Sequence, residues 1–153
     1  MHHHEATGDE PAEHLRFAAH LSRLAQVTAA EETSVISAVL SDPDQVMARS
    51  AVLRHLDLRA DRLHLDPTYQ PWQESMAHTI ARHPFLARRL REWTLFRAIV
   101  LKQSWSPDAL LASSDWLQRK VAAASNAHAV EVLAERGRTK RVRDIARTTG
   151  KHL

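Results

Sequence analysis

The chain is 153 residues long, enough for one domain that buries roughly two-thirds of its unfolded surface. Hydrophobic residues make up 44% and charged residues 25%, a globular composition. Three glycines argue against a sandwich or barrel built on tight turns, and the absence of cysteine excludes disulfides, iron–sulfur clusters and Cys-ligated zinc. The net charge of +3 conceals an asymmetry: residues 1–34 carry six acids against Arg16 and Arg23, whereas residues 117–153 carry nine bases against three acids. Polarity of this kind steers partners.

No apolar run reaches the roughly 18 residues of a membrane span. The first eleven residues lack the apolar core of a secretory signal, so the default expectation is a cytoplasmic protein. Residues 1–8 read as a disordered leader, and 9–150 as a single helical domain. A helix is expected from about Asp9, with Pro11 in its first turn and Phe17, Leu21 and Leu24 on one face, flanked by Leu15 and Ala18. A second should start near Glu31 and bury Val35, Ile36, Val39 and Leu40. Asp42-Pro43 is a cap-plus-proline start for a helix showing Val46, Ser50 and Leu53 on one face, with Ala51 beside it. That helix continues or restarts through Leu56, Ala60 and Leu63.

Pro67 and Pro71 break the chain before a short helix marked by Trp72, Met76 and Ile80. After Pro84 a long helix runs to about Gln103, with Leu86, Leu90, Trp93 and Val100 at helical spacing and Phe96 adjacent. Ser106, Ser114 and Asn126 are further N-caps, and Gly137 and Gly150 are C-terminal stops. No segment sustains a two-residue alternation of β-branched residues, so no sheet is expected. The predicted fold is all-α, with about seven to nine helices.

The segment from Leu40 to Val52 has a helix ending in Leu, an Asp-Pro-Asp turn and then an apolar-x-x-Arg-x-Ala helix. In this it resembles a HEAT repeat. A similar pattern runs from Leu111 to Ala122, matching Asp44 to Asp115, Val46 to Leu117, Arg49 to Lys120 and Ala51 to Ala122. A shorter echo lies at Arg141–Ala146, placing Val142 25 residues after Leu117. Residues 108–149 resemble the leucine-rich repeat variant family, whose units of about this length stack small helices. The resemblance implies a HEAT-like or irregular helical stack. The cysteine cluster known from some members of that family has no counterpart here. Independently of the resemblance, a short amphipathic helix pair cannot bury its own apolar face and needs stacked neighbours. Leu111, Leu117, Val121, Val130, Leu133, Val142 and Ile145 would form that strip, with 138–149 capping its end. An irregular bundle with chance repeats is the alternative.

Catalytic and metal motifs are sparse. There is no His-Glu-x-x-His pair, no Gly-x-Ser-x-Gly and no phosphate-binding glycine loop. His55 and His64, with Asp57, Asp61 and Asp66 nearby, could gather a carboxylate–histidine site. Met1-His2-His3 could chelate Cu(II) or Ni(II) through amine, amides and imidazole. Neither is the favoured reading, so no metal and no cofactor are expected. Basic residues are the stronger signal: Arg88 and Arg91 on the long helix, and Arg138, Lys140, Arg141 and Arg143 near the C-terminus. These six are the expected partner-binding residues. DNA alkylation-repeat glycosylases, a HEAT-like family, use a basic face with Trp and Asp, and Asp115-Trp116 is the only local echo. The leading expectation is a non-enzymatic helical scaffold that binds a protein partner. The alternatives are a basic module binding nucleic acid weakly and a small biosynthetic enzyme with an unrecognised polar cleft.

Overall fold

The computed structural model describes residues 3–153, with side chains described from Ala12 onward. The expected leader at 1–8 and the amino-terminal chelate at Met1–His3 fall outside the described side chains. Among the described residues there are nine α-helices and no strand, the outcome predicted from the missing two-residue alternation.

Two compact units divide the chain, residues 1–90 and 91–153. The first holds α1 (His3–Ala25), α2 (Glu32–Leu40), α3 (Gln45–Leu63), α4 (Tyr69–Thr79) and the start of α5 (Pro84–Val100). The second holds the rest of α5, then α6 (Pro107–Leu111), α7 (Asp115–Ala122), α8 (Ala127–Arg136) and α9 (Lys140–Gly150).

In the first unit α3 packs against α1 and α2, and α2 also meets α4. Leu24, Ile36, Val39, Leu56, Met76 and Ile80 are buried. Phe17 and Leu21 are half-buried, and Leu15 is exposed. The apolar face of α3 keeps the expected Leu56 and Ala60 but differs from the expected one in its first half. Ala48, Ala51, Val52, Leu56 and Ala60 are buried, whereas Val46 is 70% exposed and Ser50 is also exposed. Three alanines on the packed face leave room for neighbouring helices to approach closely, an advantage that a ranking by side-chain hydrophobicity misses. The helix runs unbroken to Leu63.

Asp44, not Asp42, caps α3, its carboxylate accepting from the Met47 amide at 3.1 Å. Asp42 instead accepts from the Asp44 amide at 2.8 Å, from Arg16 Nη2 at 2.7 Å and from His20 Nε2 at 2.9 Å, tying α1 to the α2–α3 turn. Those hydrogen bonds, from His20 first and then Arg16, hold the Asp42 carboxyl far below the usual aspartate range.

In the second unit the expected caps form. Ser106, Ser114 and Asn126 accept from the amides of Ala109, Leu117 and Ala129, and Thr139 adds a fourth cap on Val142. Burial then follows the caps. The third and seventh residues after Ser114, Asn126 and Thr139 are all buried: Leu117 and Val121, Ala129 and Leu133, Val142 and Ala146. Leu111 and Ile145 are half-buried. The burial patterns of α3 and α7 coincide when their caps are superimposed, one residue away from the alignment read from sequence. Matching the caps Asp44 and Ser114 pairs buried Ala48, Ala51 and Val52 with buried Gln118, Val121 and Ala122, whereas Val46 and Leu117 differ completely in exposure.

Gly137 ends α8 at φ −55°, outside the left-handed region. Its value is proximity: a Cβ there would stand 2.6 Å from the Leu133 carbonyl oxygen and 2.7 Å from Val142 Cγ1. Gly150 is the last residue of α9, which Lys151 caps. The left-handed conformation falls to Lys102, at φ 57°, just past α5.

Candidate functional site

The basic residues expected to bind a partner are largely engaged by the fold itself. Arg138 donates through Nη2 to the Ser113 carbonyl at 2.6 Å, and its amide donates to Gln118 Oε1 at 2.8 Å. Gln118 is fully buried and donates in turn to the carbonyls of Leu110 and Leu111. Arg138 therefore ties the α8–α9 turn to the end of α6. Arg143 donates to the Gly137 carbonyl at 2.9 Å. Lys140 and Arg147 both pair with Asp144, at 2.7 and 3.2 Å, and the Lys140 contact holds the Asp144 carboxyl below its usual range. Arg141 is exposed on α9. Arg88 and Arg91 are both exposed on α5, Arg88 in the first unit and Arg91 in the second.

Elsewhere in the second unit, buried Glu92 accepts from the Ser114 amide at 2.8 Å and from its hydroxyl at 2.6 Å, completing the start of α7. Half-buried Lys120 places Nζ 4.9 Å from the Trp93 ring centroid and 4.8 Å from that of Phe96, a cation between two aromatic faces.

The densest polar cluster lies in the first unit and centres on Glu32, in the first turn of α2 and 3% exposed. Its carboxylate accepts from His55 Nε2 at 2.7 Å, Arg59 Nε at 2.9 Å, Arg59 Nη2 at 3.4 Å and Trp72 Nε1 at 3.0 Å. Burial pushes this carboxyl up. Hydrogen bonds from His55 and Arg59 pull it down and prevail, leaving it below the usual glutamate range. The Arg59 guanidinium also stands 5.9 Å from the Trp72 ring centroid. Two cavities adjoin the cluster, about 240 and 520 Å³, and Ala29, Glu32 and Arg59 line both.

The carboxylate–histidine grouping considered around His55 and His64 does not assemble. His55 turns to Glu32, Asp57 pairs with Arg89 at 2.7 Å, and Asp66 accepts from Thr68. Among the described residues no three His, Asp or Glu side chains converge as a metal site would require. No described helix is long and apolar enough to cross a membrane.

A third place is apolar and open. Val46, Ser50 and Leu53 of α3, with Pro84 and Phe85 at the start of α5, line a groove of about 500 Å³ whose polar rim is Arg49. Phe85 is 58% exposed. The Arg89 guanidinium, itself bound to Asp57, lies over the ring at 6.0 Å from its centroid. Exposed Arg88 lies one turn beyond Phe85 on the same helix. The face of α3 that sequence reading assigned to the core is thus one wall of this groove.

Comparisons of the chain with protein-family models, with curated proteins and with solved structures gave no match.

Proposed function

We propose that this chain is a helical scaffold that binds a protein partner, receiving an acidic amphipathic helix in the groove between α3 and α5. The observation that carries this reading is the exposed Phe85, which lines an apolar groove beside the Asp57–Arg89 pair. A large apolar ring exposed to water is a ready anchor, because a partner that covers it removes apolar surface from water. Arg49 on the rim and Arg88 beside Phe85 complement acids on the partner's polar face. The cap-locked burial pattern of α7, α8 and α9 supports the HEAT-like stack as the architecture of the second unit.

The test is titration of the full chain with a synthetic amphipathic peptide bearing Leu on one face and Glu on the other. Binding should weaken with salt and vanish in Phe85→Asp, and a peptide with Lys in place of Glu should not bind. Equal binding of both peptides, or binding unchanged by Phe85→Asp, overturns the reading. So does a dimer in sedimentation that Phe85→Asp dissolves, since the groove would then belong to a second copy.

Weak nucleic-acid binding is the second reading, supported by exposed Arg136 and Arg141. Such binding should fall steeply with salt and ignore base sequence, and affinity that persists at high salt contradicts it.

A further inference from the structure

We infer that the cavity of about 240 Å³ between the α1–α2 turn and α3 is a binding site for a small carboxylate with a compact apolar body. It is separate from the α3–α5 groove and does not depend on the reading of that groove.

The argument begins with the guanidinium of Arg59. Glu32 takes its Nε and Nη2 donors, which fixes the plane of the fork. A guanidinium carries five N–H donors, so the edge that includes Nη1 is left over, and it meets no acceptor among the described residues. The side chain is 28% exposed, neither solvated like a surface arginine nor satisfied like a buried one. Its position is set before any ligand arrives, and a pre-oriented planar fork suits a planar carboxylate.

The charge of the cavity has the matching sign. Arg59 and Arg62 stand three residues apart on α3, and both line it. Against them stands one carboxylate, Glu32, whose oxygens are already occupied by His55, Arg59 and Trp72. A second anion therefore meets two guanidinium groups and no free acid. Of the remaining wall Thr28 is polar, and Leu24, Ala25, Val27, Ala29 and Leu58 are apolar. In size the cavity exceeds one of about 150 Å³ that accepts benzene, leaving space for a single ring or short branched chain plus its carboxylate.

The probes are benzoate, benzyl alcohol, benzylamine and inorganic phosphate, each titrated into the full chain by calorimetry. Benzoate should bind saturably, with benzyl alcohol about 10-fold weaker for want of the charge-assisted bonds and benzylamine not binding. Phosphate alone should be weaker than benzoate, lacking the apolar body. Arg59 variants would disturb Glu32 and could unfold the unit, so two exposed positions carry the test. Arg62→Gln should weaken benzoate about 10-fold, and Leu58→Trp should block the mouth and abolish binding, both with an unchanged unfolding midpoint. Phe85→Asp should leave benzoate binding intact. Equal affinity for benzoate and benzyl alcohol, phosphate binding as tightly as benzoate, or benzoate binding indifferent to both Arg62→Gln and Leu58→Trp would overturn the assignment.

Discussion

Glu32 receives donors from three side chains, and an amide in its place would turn its own N–H groups toward them. Glu32→Gln should therefore destabilise the chain by about 3 kcal/mol, as breaking one side of a buried pair does, measured by urea unfolding at pH 7. Acid should act through the same group. The Glu32 carboxyl titrates lower in the folded chain than the roughly 4.3 of an unfolded glutamate. Its contribution is present above that value and is lost as pH falls through the depressed folded one. Asp42, Asp66 and Asp144 are lowered too and act with the same sign. Urea midpoints followed from pH 6 to pH 3 should fall, and the fall should be shallower in Glu32→Gln. A parallel slope would show that Glu32 contributes nothing to acid sensitivity. None of this cluster was legible in the sequence. Glu32 finds its donors 23, 27 and 40 residues away, and Glu31-Glu32 reads locally as an ordinary acidic helix start.

At the scale of elements, local chemistry was readable and facing was not. A cap involves a side chain and an amide three residues on, so Ser106, Ser114 and Asn126 announced their helices. Which face of α3 turns inward depends on what stacks against it, and alanines at 48, 51 and 60 outweigh the more apolar Val46 for that reason. The cap-locked helices make two predictions. Leu117→Ala should cost about 2–5 kcal/mol, since the side chain is fully buried beside Val121, and an unchanged melting midpoint would refute the packing of α7. Gly137→Ala should cost about 1–3 kcal/mol by overpacking, because neither the Leu133 carbonyl nor the branched Val142 side chain can easily yield to a new Cβ. Stabilisation by Gly137→Ala, the usual result of replacing an unneeded glycine, would show that the helix corner is looser than described.

For the whole molecule, the two units differ in charge: twelve acids against nine bases in residues 1–90, and six acids against twelve bases in residues 91–153. The sequence marks no border between them, because residue 90 falls inside α5, where no proline, glycine or polar linker interrupts the helical spacing. The basic excess of the second unit was visible in the sequence. That much of it is spent holding turns together was not, since Arg138 and Arg143 bind carbonyls that composition cannot locate.

The lysine set between Trp93 and Phe96 gives the molecule a chemical clock. The chain has only four lysines, and three of them, Lys102, Lys140 and Lys151, are exposed. The fourth, Lys120, must leave its aromatic faces and lose its charge before it can react with an acylating reagent. A cation–π contact stabilises the ammonium by about 0.5–2 kcal/mol, so Lys120 should be tagged several-fold more slowly than the other three. Mass spectra of the intact chain, corrected for the amino terminus, should pause at three tags under native conditions and move promptly to four in urea. The interval between the third tag and the fourth then measures how readily the Lys120 side chain leaves its two rings, with no engineered label required. Four lysines tagged at one common rate would place Lys120 in open solvent.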